Sequence, residues 1–163
     1  MNNYEKNITL ERKFAETVKQ ILGRQFITQD KIMDTQQGTD FLIFNINPIK
    51  VGLRLRRYKY LKDYGYGEQF TIRYELASGN KTEYEKIMEG LVDYIIYGFV
   101  DEKEEKIIKY FIGDLNVFRK EKIAPYEIKF NKNYNKGEDS KLAVFRINDF
   151  MPNFIIKNYY EKN

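Results

Sequence analysis

The feature that most constrains this chain is a recurring set of short apolar runs with a period of two. In KVGLRLRRYKYL (50–61), Val51, Leu53 and Leu55 fall on one side, and Lys50, Gly52, Arg54 and Arg56 on the other. EQFTIRYEL (68–76) repeats the pattern, with Phe70 and Ile72 opposing Thr71 and Arg73. FLIF (41–44) is apolar throughout and too short for a helix, which fits a strand covered on both faces. DYIIYGFV (93–100) and KIIKYFIGDL (106–115) read as a strand pair joined by the charged turn DEKEE. KLAVFRINDF (141–150) reads as a last strand. A short extended piece is expected within 24–33.

Between these runs the spacing turns helical. In NITLERKFAETVKQILG, Phe14, Val18, Ile21 and Leu22 share one face, with Thr9 placed as N-cap and Gly23 as the stop. Thr82 followed by Glu85 is a capping-box pattern and predicts a helix over 82–91, on which Glu83, Glu85 and Glu89 read as exposed. FRKEK, from Phe118, predicts another short helix. Residues 131–140 have loop composition, and 151–163 read as a C-terminal tail. The order of pieces predicts a single domain with its core over 9–150. Its class is α+β, with one mixed sheet flanked by helices.

With 163 residues the chain is long enough for one real core. It holds no cysteine and no histidine. That removes disulfides, thiolate and imidazole zinc sites, and Ser-His-Asp or Cys-His catalysis. A net charge of +4 favours an anionic partner only mildly. The polar opening MNNYEKNITLERK lacks a signal-peptide core, and no apolar run has membrane-spanning length, so the cytosol is the default location.

The chemically suggestive stretch is GTDFLIFNINPIKVGLRLRRYKYL (38–61), read as a hairpin turning near Asn47-Pro48. Asp40 starts its first strand, and Glu11 lies near the edge of the first helix's stripe. Metal-dependent phosphodiester hydrolysis needs carboxylates for Mg²⁺ or Mn²⁺ and a cation near the attacking water. Asp40, Glu11 and, as the cation, Lys50 are the candidate set. A turn at Asn47-Pro48 sets Asp40 opposite Leu55 or Arg56, so Arg54 and Arg56 flank the site. An Mg²⁺ about 5 Å from one arginine is repelled by roughly 7 kcal/mol at an effective dielectric of 20.

Three readings stay open for the hairpin: an Asp40–Arg56 cross-strand ion pair, an arginine cluster that grips phosphate, and a metal nuclease. Around it Arg54, Arg56, Arg57, Tyr58, Lys59, Tyr60 and Arg73 interleave cations with aromatic rings. Single-stranded nucleic acid asks for that mixture, as do exposed strands and protein interfaces.

The pieces GTDFLIF, VGLRLRRY, FTIRYELASGNKTEYEKIMEG, DYIIYGF, FIGDLNVFR and AVFRINDF resemble small bacteriophage and prophage proteins of the PD-(D/E)XK, restriction-endonuclease-like kind. The resemblance spans most of 11–150. It implies that Asp40 matches the metal-site aspartate and Glu11 the helix acid. Arg54 and Arg56 stand where Glu-x-Lys would be and do not match. It therefore implies a nuclease-like scaffold with a degenerate site, needing no cofactor, or Mg or Mn if a nuclease. The function it implies is an inhibitor of a bacterial host's defence system, anti-CRISPR-like, acting in the host cytoplasm. Its partner would be nucleic acid, a nucleic-acid-bearing complex or a host defence protein, with no membrane involved. A homodimer through an exposed strand such as 141–150 is also carried forward.

Overall fold

In the computed structural model, residues 9–22, 26–27, 41–43, 49–63, 65–131 and 140–161 are described. A helical turn over 9–13 leads into α1 (Ala15–Leu22). Then come β1 (Phe26–Ile27), β2 (Phe41–Ile43), β3 (Ile49–Arg56), α2 (Tyr58–Lys62) and β4 (Gln69–Leu76). After these follow α3 (Glu83–Met88), β5 (Tyr94–Val100), β6 (Ile107–Asp114), α4 (Leu115–Glu121), β7 (Glu127–Asn131), β8 (Ser140–Arg146) and β9 (Ile155–Tyr160).

The class is α+β, with the strands divided between two sheets rather than gathered in one. The larger sheet has the order β1-β2-β3-β5-β6-β9, and the smaller β4-β8-β7. β3 and β5 are parallel, Val51 opposite Tyr94 through Arg56 opposite Phe99, and the other pairings are antiparallel. Antiparallel neighbours need only a tight turn, but a parallel pair needs a long crossover. The chain uses that crossover to lay β4 into the second sheet and α3 beside it.

Around β3, β5 and β6 the larger sheet is covered on both faces. Val51, Leu53 and Leu55 of β3, with Ile96 and Val100 of β5, pack on Leu10, Phe14, Ala15 and Val18. From the other face, Ile95, Tyr97, Phe99 and Phe111 meet Phe70, Ile72, Phe145, Phe118, Phe150 and Phe154. Burial on both sides explains why β5 is apolar at nearly every position. Phe70 is the hub of an aromatic layer, with the rings of Phe145 at 5.3 Å, Phe111 at 5.6 Å and Phe154 at 5.6 Å. Thr71 Oγ1 and the Tyr97 hydroxyl, 3.2 Å apart, add a buried hydrogen bond between the sheets.

Several sequence-based boundaries shift. The 50–61 strand stops at Arg56 because its neighbour β5 ends at Val100, and residues 58–62 turn into α2. The Phe41–Val51 register differs from a turn centred on Asn47-Pro48 with Asp40 opposite Leu55 or Arg56. The 141–150 run is strand only to Arg146, and as β8 it lies between β4 and β7, so it offers no edge to a second copy. The 151–163 segment is not a tail over its described part: Phe154 is fully buried, and β9 pairs with β6. Gly113 of β6 makes room for that ring, since a Cβ there would lie 2.9 Å from Phe154 Cζ. Of the predicted loop 131–140, Asn131 ends β7 and Ser140 starts β8, and 132–139 lie outside the described residues.

Candidate binding surface around the arginine cluster

β3 carries Arg54 and Arg56 on the side away from α1, and Arg57 follows it as the N-cap of α2. Arg54 Nη1 donates to Glu83 Oε1 at 2.8 Å, and the Arg73 backbone N–H donates to Glu83 Oε2 at 2.9 Å. Glu83 is the first residue of α3, placed there by the Thr82 capping box. In that box the Glu85 N–H donates to Thr82 Oγ1, and the Thr82 N–H to Glu85 Oε2. One carboxylate thus ties β3 of the larger sheet to β4 of the smaller. Burial pushes the Glu83 carboxyl up, but Arg54, Arg73 with its N–H, and Arg56 outweigh it and hold the group below its ordinary value. Glu83 does not lie idle on an exposed helix face, as its sequence position suggests.

The remaining cations diverge from this clasp. The Arg56 guanidinium lies 4.3 Å from the Tyr60 ring centroid, and Lys59 Nζ lies 5.1 Å from the same ring. Lys62 Nζ lies 5.8 Å from the Tyr58 ring. Arg57 Nε donates to Glu104 Oε1 at 2.7 Å, reaching the β5–β6 turn. Between α2 and that turn lies a cleft of about 240 Å³, with Arg57, Lys59 and Lys62 from one element and Asp101, Glu102 and Glu104 from the other. Asp101 is engaged by its own turn, accepting from the Glu105 and Lys106 amides at 2.7 and 3.0 Å. Those N–H groups overcome burial and hold its carboxyl low.

The nuclease set is not drawn together. Glu11 Oε1 accepts weakly from the Leu55 N–H at 3.4 Å, beyond the last described β2–β3 pair. Lys50 lies five residues back along β3, about 16 Å away, and its N–H donates to Asp93 Oδ2 at 2.8 Å. Asp40 falls outside the described residues. Among the described residues no three acidic side chains gather as a metal site. Glu11 beside an arginine-bearing strand does not fit Mg²⁺ or Mn²⁺ as a donor set. Glu83, Glu104 and Asp93 were missed as organising residues because each acts on a strand distant in sequence. The one local hint was the capping box, which fixes Glu83 at a helix start.

A larger cavity of about 680 Å³ opens beside β9, lined by Tyr97, Phe99, Phe111 and Tyr160. The Lys109–Glu68 pair at 2.8 Å and Asn158 stand in its lining. No described helix is long and apolar enough to cross a membrane. Comparison with protein-family models, curated proteins and solved structures finds no match.

Proposed function

We propose that this is a non-catalytic binding protein that engages single-stranded nucleic acid, alone or carried in a protein complex, through β3 and α2. The observation that carries it is the strip formed by Arg56, Tyr60, Lys59, Tyr58 and Lys62, cations laid over aromatic rings on one short segment. Cations track a phosphate backbone and rings stack bases. Arg54, Arg73 and Arg57 support the strip through Glu83 and Glu104 and are not its contact residues. The resemblance to phage proteins adds a setting, inhibition of host defence in a bacterial cytoplasm.

The test is fluorescence anisotropy with oligo-dT and oligo-U across a salt series. Three contacting cations predict a log–log salt slope near −2, and Arg56→Ala or Lys62→Ala should each reduce it by about 0.7. No binding to either oligonucleotide, or a slope indifferent to both substitutions, sinks the reading. The acidic wall of the adjacent cleft favours a second reading, a protein–protein inhibitor. It predicts one tight protein partner whose capture survives nuclease treatment. A Mg²⁺- or Mn²⁺-dependent nuclease would show itself as cleavage abolished by EDTA and by Asp40→Asn. We expect none.

A further inference from the structure

Strand register fixes the floor of the cavity beside β9. Phe99 lies opposite Lys109, and Lys109 opposite Tyr160. One row along, Tyr97 lies opposite Phe111, and Phe111 opposite Asn158. Opposed residues share a sheet face, as do residues two apart on one strand, so these six share one face. All six line the cavity, joined by Gly67 and Glu68 from just before β4 and Ile147 from just after β8. Its volume, about 680 Å³, and its aromatic lining with a few polar groups suit a small organic ligand. Among the described lining residues Lys109 is the one cation. Its Nζ donates to Glu68 Oε1 at 2.8 Å and lies 5.3 Å from the Tyr160 ring centroid. Gly67 leaves space for that ammonium, since a Cβ there would lie 2.9 Å from Nζ. The two partners are unequal: the Lys109 side chain is 22% exposed and that of Glu68 is 68% exposed. A carboxylate so open to water is held loosely, whereas an ammonium set among rings keeps its need for an anion.

We propose that this cavity binds a planar aromatic monocarboxylate. The ring system of the ligand lies among Tyr97, Phe99, Phe111 and Tyr160, and its carboxylate takes the place of Glu68 on Lys109. Glu68 holds the lysine in position until then and swings into solvent at little cost. The charge of the ligand follows from the lining: one lysine, already seating one carboxylate, matches a single negative charge. A phosphate ester carries nearly two and calls for more than one cation. The site shares no residue with the α2 strip, so it stands whether or not that strip binds nucleic acid.

Isothermal titration of the full chain with 2-naphthoate, and with the neutral 2-naphthalenemethanol of the same shape, tests this. The wild type should bind 2-naphthoate saturably at one site, about tenfold tighter than the alcohol. Lys109→Met should erase that preference while still binding the alcohol, and Tyr160→Ala should weaken both ligands. Glu68→Gln carries the sharpest expectation. Removing the competing carboxylate should tighten 2-naphthoate several-fold and leave the alcohol unchanged. Glu68 is exposed, so this variant folds and the test survives even if Lys109→Met does not. A wild type that shows no saturable binding of 2-naphthoate overturns the proposal. So does a Glu68→Gln variant that binds the acid no tighter, or a folded Lys109→Met variant that still prefers the acid. Tighter binding of 2-naphthyl phosphate than of 2-naphthoate would overturn the choice of a carboxylate.

Discussion

Glu83 holds Arg54 with one oxygen and the Arg73 amide with the other, and Arg54 is only 13% exposed at its side chain. Removing the carboxylate charge takes the Glu83 partner from a mostly buried guanidinium. Breaking such a pair costs about 3–5 kcal/mol when fully buried. Glu83 itself is 35% exposed, so Glu83→Gln should cost less, about 2 kcal/mol in urea unfolding at neutral pH. The acid side follows from the lowered Glu83 pKa. A depressed carboxyl stabilises the fold above its unfolded value, near 4.5, and that contribution is lost as pH falls through the lower folded value. The wild type should therefore lose more stability than Glu83→Gln on acidification below pH 4.5. Equal losses would mean that the carboxylate contributes nothing through its charge.

At the level of elements, the capping box gives α3 its start and so places Glu83. Thr82 is 3% exposed, and Thr82→Ala should cost about 1 kcal/mol with a fall in Tm. Thr82→Ser, which keeps the acceptor, should restore most of it. Phe154 packs on Phe150 at 4.4 Å and on Phe70 at 5.6 Å. Phe154→Ala should cost about 3–5 kcal/mol, read by thermal unfolding. A loss below 1 kcal/mol would return 151–163 to the status of a tail. Strands β3 to β6 and the start of α3 were legible because alternation and a capping box are local signals, whereas the α2 segment reads as strand and α4 starts at Leu115, ahead of the expected Phe118. The role of β9 was not. IIKNYY has little alternation, and its pairing with β6 and the burial of Phe154 are fixed by distant residues. The division into two sheets was hidden for the same reason: alternation reports that a strand has two faces, not which neighbour it takes.

On the scale of the whole molecule, the arginines singled out from sequence have different fates. Arg54 and Arg73 hold the sheets to one another, Arg57 reaches the β5–β6 turn, and Arg56 joins the α2 strip. Sequence spacing brought them to one strand and its neighbourhood, but it could not name Glu83 or Glu104, which decide those fates. In an anisotropy titration with oligo-U, Arg54→Ala at a temperature where it stays folded should therefore change affinity less than Arg56→Ala. The opposite ranking would move the contact surface onto the clasp.

The place of Phe154 and β9 also has a consequence for biosynthesis. The aromatic layer is assembled from β4, β5, β6, α4 and β8, yet its cage is filled only by a ring that follows all of them in the chain. While translation proceeds, Phe70, Phe111 and Phe150 face an open socket, and the outer side of β6 has no partner strand. A nascent chain halted at any point before β9 should stay protease-sensitive and hold chaperones, and resistance should appear in one step once that strand has cleared the ribosome.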